Sequence, residues 1–426
     1  MPESSTVHVD VVIIGGGIQG LFLLNSVLGI DPTQGRKFSA VLLNRGPLAG
    51  EQTAHSHAYI HYGHMFRDPE RIALARRGAQ KWEEWFDDNS DTGSRVTSYF
   101  GFEDKQTARK VSQGWGDRPD WVTRGSDPVL SRLDGKWQCL AKVSSFCLHA
   151  PQVAARLLTG LEEFTSSVEA ATVLGYDSQG VRVAAEHSDG ERLTLHASAL
   201  VLCAGRGNEQ LIDSIGGWAG TEICQSPPAY MLLVSGEDDI LPVLNGYFYP
   251  AAFVVTRSVE GKNRWLLSDR LRPSQKPFGG GYVDPGLSGW ARQAVAHVFE
   301  ILPELSSRPD RVEWCVYRAD KAEGWHEAGR LPDRLSVEKH PTANIWAAFP
   351  NLFTLAPETT AEILKQITFP GTAWPGSCPG GWLRFLRPLA VSPEASETAN
   401  LLTWQGFCSE HPVVRERFPS AGQQRA

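Results

Sequence analysis

Four of the chain's twelve histidines, His55, His57, His61 and His64, fall within ten residues in the stretch GEQTAHSHAYIHYGHMF, Gly50–Phe66. Imidazole titrates closest to neutrality of all side chains and is also a common metal ligand. Such a cluster therefore suits a metal, a catalytic base with its neighbours, or a loop wrapped around a large ligand. The spacings of 2, 4 and 3 form no usual zinc pattern, and no cysteine or acid cluster lies nearby, which argues against a metal. Local spacing does not choose between the other two.

The elements that would position this loop begin with VDVVIIGGGIQGLFLLNSVL. A mostly β-branched run, Val9 to Ile14, precedes Gly15-x-Gly17-x-x-Gly20 and a helix-like apolar stretch. In this strand–turn–helix context the glycine spacing is a specific dinucleotide signature. Gly15 permits the tight turn, Gly17 lets backbone approach a pyrophosphate, and Gly20 lets helix and strand pack closely, with the helix N-terminus facing the phosphates. A second strand follows at Phe38–Arg45. Where this fold usually places an acid on ribose hydroxyls, the chain has Asn44, which can bond a hydroxyl without charge assistance. The neighbouring Arg45 is either a hint of a 2′-phosphate or an exposed strand-end arginine.

Composition bounds the rest. With 426 residues, 42% apolar and 21% charged, the chain is long enough for two or three domains, or for one nucleotide-binding domain with a second built into it. A net charge of −7 and the absence of any Lys/Arg run give no footprint for nucleic acid. The fourteen tryptophans suit either an aromatic-lined cavity or ordinary packing. Seven scattered cysteines without a C-x-x-C pair read as reduced thiols. Val11–Ile30 is twenty residues without a charge, but its glycines, Gln19 and Asn25 make it a buried strand, turn and helix rather than a membrane span, and the expected location is cytoplasmic.

Three later segments complete the pattern: the histidine loop itself, LHASALVLCAGRGNEQLIDSIGG (Leu195–Gly217) and FPNLFTLAPETTAEILKQI (Phe349–Ile367), a strand and a helix opening at Pro357. In this order the chain resembles the FAD-dependent oxidoreductases of the D-amino-acid oxidase and glycine oxidase type over most of residues 8–367. YIHYGHMF resembles the small-x-Ile-His-x-Gly segment of the L-2-hydroxyglutarate dehydrogenase branch, with His61 and Gly63 at the matching positions. The resemblance implies an α/β, Rossmann-like FAD-binding domain of the glutathione-reductase type, interleaved with an antiparallel-sheet substrate domain. It divides the chain into residues 1–80, 145–225 and 335–370 for FAD, 81–144 and 226–334 for substrate, and 371–426 as a C-terminal extension.

The same resemblance implies FAD contacts at Gly15, Gly17, Ile18, Gln19 and Gly20, at Asn44 and Arg45, and along the loop Thr53, Ala54, His55, Ser56 and His57. Further contacts fall at Val168 by the adenine, at Ala204 and Gly205, and at Phe353, Thr354 and Leu355 by the flavin ring. Some relatives attach the flavin through a histidine, a role open to His55 or His57. Relatives carry a glycine-rich turn where this chain has LFTLAPE, Leu352–Glu358; the helix that follows can still offer its dipole to a reduced flavin.

Helical spacing of Ile72, Ala75, Ala79, Trp82 and Phe86, with Asp68 as cap, predicts a helix, and HAPQVAARLLTGLEEF predicts another. Residues 90–144 read as a polar, Gly- and Trp-rich cover, and VEAATVLGYDSQGVRVAAEHSDGERLTLHAS as a strand meander. PPAYMLLVSG, YFYPAAFVVTRS and RWLLSDRL read as strands over the flavin face. Tyr249, Arg270 and Arg318 are candidates for a substrate carboxylate, against a structural role for each. His61 is the candidate proton acceptor. The extension, with a helix opening at Ser392-Pro393-Glu394 and an apolar cluster of Trp382, Phe385 and Leu386, is expected to dock on the body, cap the site or mediate oligomers.

The resulting expectation is an oxidoreductase that uses FAD to oxidise the C–H beside an amine or hydroxyl of a small-molecule substrate, with oxygen or another electron acceptor and no membrane span. A monooxygenase or halogenase, and a flavin-binding protein without catalysis of its own, are the alternatives.

Overall fold

The apolar N-terminal run forms the strand Thr6–Ile14, with a parallel neighbour on each side, Arg192–Leu202 and Ala40–Asn44. Both faces of its C-terminal half are covered, which is why Val11–Ile14 reads as an unbroken apolar run rather than an alternation. The computed structural model describes residues 6–29, 38–116, 119–123, 125, 127–218, 223–226, 228–249, 252–269, 286–324, 335–367, 386 and 389–418.

The first sheet has eight strands. Its main path runs Ser336–Lys339, Ile345–Phe349, Arg192–Leu202, Thr6–Ile14, Ala40–Asn44, Thr165–Ser167. The last five of these run parallel, so segments far apart in sequence meet at one sheet end. The expected meander is present as Ala170–Asp177 and Gly180–Glu186, which add antiparallel to Arg192–Leu202. Helix Ile18–Leu28 crosses between the first two strands and packs on helices Ala150–Leu158 and Ala356–Gln366. The uncharged stretch after Asp10 is thus divided between strand, turn and helix, and no helix of the described residues is long and apolar enough to cross a membrane.

The second sheet has nine strands, largely antiparallel, with Glu313–Asp320 at one edge and Tyr59–Ile60 at the other. Residues 90–144, expected as a polar cover within the antiparallel-sheet domain, supply strands of this sheet. Gly93–Phe102 and Cys139–Leu148 form a ten-residue ladder within this sheet. The segment looks polar because Ser98 and Ser145 are buried, where both bond the Tyr59 hydroxyl (2.8 and 2.6 Å). One face of the sheet carries Phe100, Tyr247, Phe253 and Val255, packed with Tyr59 and Phe66 of the histidine loop. The other carries Phe248, Trp265 and Trp314 against helix Gly286–Ile301.

The helix Pro69–Asp88 forms as its spacing requires. Asp68 accepts from the Glu70 N–H at 3.0 Å, and Ile72, Ala75, Ala79, Trp82 and Phe86 are buried. The helix expected over His149–Phe164 stops at Leu158, and Gly160 at φ +75° turns the chain into a short 3₁₀ segment. The extension docks on the body. Helices Trp404–Glu410 and Pro412–Arg417 pack on helix Gly286–Ile301, while Leu402 and Trp314 exchange backbone bonds of 2.9 and 2.8 Å. Upstream, Ala390 and Ser392 pair with Leu48. The expected helix at Ser392 is a single turn, Ala395–Thr398. Leu386 is buried, whereas Trp382, Phe385 and Arg270 lie outside the described residues.

Candidate active site

The glycine turn is closed by contact rather than by composition alone. A Cβ on Gly15 would stand 2.3 Å from the Cys203 carbonyl oxygen, and one on Gly20 1.9 Å from that of Gly15, so strand end, turn and helix fit only without side chains. The Ile18 N–H donates to Thr53 Oγ1 at 3.0 Å, which ties the helix N-terminus to the histidine loop. Gln19 donates to Thr360 Oγ1 at 2.9 Å, and its buried Oε1 has no partner among the described residues.

Asn44 stands at the expected strand end, but its amide is turned inward. Oδ1 accepts from the Gly16 N–H at 2.8 Å, and Nδ2 donates to the carbonyls of Gly46 and Pro47, both at 3.1 Å. It clamps the turn instead of presenting both groups outward. Arg45 beside it is exposed, and buried Val168 donates its N–H to the Asn44 carbonyl at 3.0 Å. Ala204 and Gly205 follow the Arg192–Leu202 strand. Sequence reasoning missed Asn208, fully buried, whose Oδ1 accepts from the Ala204 N–H at 2.8 Å. A buried amide four residues past Ala-Gly was the available signal.

The histidine loop lies between the two sheets. His61 is 6% exposed; its N–H donates to Thr354 Oγ1 at 3.4 Å, and its Nδ1 accepts from the Gly63 N–H at 3.2 Å. Burial, then the nearby His64, pushes its pKa down to about 3. His57 is likewise held at about 3 by desolvation and by the Arg257 cation, whose guanidinium donates to the His57 carbonyl at 2.7 Å. Both rings are neutral at physiological pH. His55 packs on Tyr317 and His57 on Phe253, with ring centroids 5.6 and 5.0 Å apart. His64 packs in an aromatic cluster, 4.9 Å from Trp115. Ala54 is buried and Ser56 accepts from the Ala58 N–H.

The third element closes the site. Phe353 stacks on Trp82 (5.3 Å), Thr354 and Leu355 are fully buried, and Thr354 bonds His61 as above. Glycine turn, histidine loop and last strand–helix unit are thus linked by hydrogen bonds through Thr53, Thr360 and Thr354.

Substrate-side candidates separate. Tyr249 shares the sheet face of Tyr247 and Phe253, and its hydroxyl accepts from Arg67. Arg318 is exposed, and strand alternation puts it with Trp314 and Val316 on the opposite face from Tyr317. Lys321, three residues on and overlooked in the sequence, is a second cation near the loop, besides Arg257. It pairs with buried Glu323 at 2.7 Å and contributes to lowering the His57 pKa, while Ala322 N–H donates to Gln52 at 3.1 Å. A cavity of about 440 Å³ beside the far end of the loop is lined by Tyr62, His64, Arg76, Glu83 and Arg95, whose Glu83 is already held by Tyr62 and Arg95.

A turn closed by glycines, two orphaned buried polar atoms (Gln19 Oε1 and His61 Nε2) and a second sheet facing them define a dinucleotide-dependent redox fold, and its residues fit FAD. The family model for FAD dependent oxidoreductases (DAO) matches residues 10–356, and the chain belongs to this family. It is an oxidoreductase whose cofactor is FAD. Among solved structures, it is similar to an FAD dependent oxidoreductase from Pseudomonas aeruginosa (20% identity, TM-score 0.65, covering 93% of this chain and 99% of that one). It is also similar to glycine oxidase from Geobacillus kaustophilus (16%, 0.62, 85% and 97%) and L-proline dehydrogenase from P. horikoshii (12%, 0.60, 85% and 94%). No curated protein matches the chain.

Proposed function

We propose that this flavoenzyme oxidises the C–H bond beside the amine or hydroxyl of a small amino acid, amine or 2-hydroxy acid. When bound, FAD supplies the hydride acceptor. The observation that carries the reading is the convergence on one side of the second sheet of two neutral histidines, the aromatic wall of Tyr59, Phe253 and Tyr317, and the Lys321 cation. Lys321 is the group suited to a substrate carboxylate, as a point charge near the loop; Arg318 faces away. The aromatic wall excludes water and fixes the substrate against the loop. Similarity to structures named glycine oxidase and L-proline dehydrogenase supports a small amino acid or its analogue as substrate.

The test is anaerobic mixing of the purified holoprotein with glycine, proline, sarcosine, other D- and L-amino acids and 2-hydroxy acids, following flavin absorbance. Bleaching by one of them identifies the class, and peroxide formation on admitting air separates oxidase from dehydrogenase. The double variant Lys321→Met/Glu323→Gln, which removes the cation without stranding the buried carboxylate, is expected to raise KM about tenfold or more with flavin retained, the scale of one lost charge-assisted contact. Dithionite bleaching with no response to any of these compounds would instead support a flavin-binding protein without catalysis of its own.

A further inference from the structure

We infer that His61 serves the site as a hydrogen-bond donor through Nε2–H, and not as the proton acceptor its position in the sequence suggests. This role rests on the flavoenzyme reading above and specifies how one residue of that site works. The Gly63 N–H points at His61 Nδ1 (3.2 Å), and a backbone N–H can bond only a bare ring nitrogen, so the single proton of the neutral ring sits on Nε2. Gly63 is packed tightly: its φ is +83°, and a Cβ there would stand 2.8 Å from Ile72 Cα, so its backbone lies close against the following helix. The His61 backbone is tied in turn to Thr354.

Nε2 is buried and has no hydrogen-bond partner among the described residues. A buried unpaired N–H is costly, and a ligand oxygen placed against it removes that cost. The loop histidines therefore divide. His57 resembles His61, with Nδ1 accepting from the Tyr59 N–H at 3.3 Å. His55 is the reverse, because its Nδ1 lies 2.8 Å from the Glu51 carbonyl and must carry the proton, which leaves the lone pair on Nε2. Of the three, only His55 can accept a proton at Nε2 without first breaking a backbone bond. The acceptor of the His61 proton is an oxygen of the bound ligand, either a flavin carbonyl or the substrate.

The experiment uses holoprotein labelled with ¹⁵N-histidine, in which the His61 resonances are assigned by their loss in His61→Gln. Protonated Nε2 and bare Nδ1 are expected; the opposite tautomer would overturn the inference whether or not a substrate is known. His61→Leu and His61→Gln then separate donor from base. Gln keeps an N–H at similar reach but accepts no proton, so it should retain kcat/KM within about tenfold while Leu loses about 10–100-fold, the scale of a hydrogen bond to a charged acceptor. With flavin still bound, equal collapse of both variants overturns the donor role. A changed flavin reduction potential in His61→Leu assigns the acceptor to flavin; a raised KM at unchanged potential assigns it to substrate. No change in either overturns the inference.

Discussion

Replacing Glu394 should weaken the protein far more than its place in a C-terminal extension suggests. Its side chain is 2% exposed, Oε1 accepts from the Ala150 N–H at 2.9 Å at the start of a helix, and Oε2 lies 3.9 Å from Arg257. Arg257, itself 10% exposed, donates to the carbonyls of His57 and Leu148 and stands opposite Arg264 across the ladder. Glu394→Ala thus removes a carboxylate at a helix N-terminus and strands a buried cation, a loss of about 3–5 kcal/mol. Glu394→Gln keeps an acceptor for Ala150 but still leaves Arg257 without its anion, so its loss should be smaller than that of Glu394→Ala by about 1–2 kcal/mol. Glu397 lies three residues on in the same segment but pairs with His149 at 2.8 Å near solvent, 25% and 34% exposed, and Glu397→Ala should cost under about 1 kcal/mol. Urea unfolding of the holoprotein, followed by tryptophan fluorescence and by flavin release, ranks the three variants. With two large sheets among the described residues, midpoints rather than extrapolated free energies are compared. Flavin release should shift most in Glu394→Ala, because Arg257 holds the histidine loop. If Glu394→Ala unfolds and releases flavin like Glu397→Ala, the extension does not brace the site and the reasoning fails.

Asn44→Asp, which installs the acid usual at this strand end, should lower FAD affinity about tenfold or more, because a carboxylate would face the Gly46 and Pro47 carbonyls now bonded by the amide; tighter binding in a flavin titration would show that Asn44 is not a clamp. Gly63→Ala combines strain at φ +83° with a 2.8 Å overlap, and should yield little soluble flavin-loaded protein; a normal yield would show that the turn can relax. Stability should fall on acidification. His57 and His61 titrate near 3 when folded and near 6.5 when unfolded, so the unfolded chain binds more protons between these values. Their contribution is present above pH 6.5 and is lost as pH falls toward 3, with a slope of up to about 2.8 kcal/mol per pH unit for the two groups near pH 5. The double variant His57→Gln/His61→Gln should flatten that slope in urea midpoints measured from pH 7 to 4; an unchanged slope would place the acid sensitivity elsewhere.

Much of the cofactor side was legible because its physics is local. A strand, a glycine turn and a helix are contiguous, and caps such as Asp68 act within a few residues. The substrate side was not, because alternation along a strand shows that Tyr317 and Arg318 point oppositely without showing which of the two faces the loop. Only the packing of helix Gly286–Ile301 on the Trp314 face decides that, and it turns Arg318 away from the loop while Lys321 lies beside it. The strand at Gly93–Phe102 was not legible for a related reason: a buried serine such as Ser98 reads as a polar surface residue until Tyr59, far away in sequence, is seen to bond it.

The two departures from the family pattern have local compensations. The acid missing at the second strand is replaced by an amide that can do what a carboxylate cannot, namely accept from Gly16 and donate to two carbonyls at once, so the turn is braced from within. The glycine missing from LFTLAPE has a counterpart on the helix packed against it. A Cβ on Gly78 would stand 2.4 Å from the Thr354 carbonyl oxygen, so close backbone approach is kept with the glycine on the other partner. That approach brings Thr354 beneath the helix and within reach of His61, and Trp82 of the same helix donates to the Phe353 carbonyl at 3.2 Å. The helix Pro69–Asp88 therefore packs on the Phe353–Leu355 segment and, through Ile72 against Gly63, beside the ring of His61. A change on its buried face at Gly78 or Ile72 should consequently disturb the cofactor element and the histidine together, although neither residue belongs to the cradle.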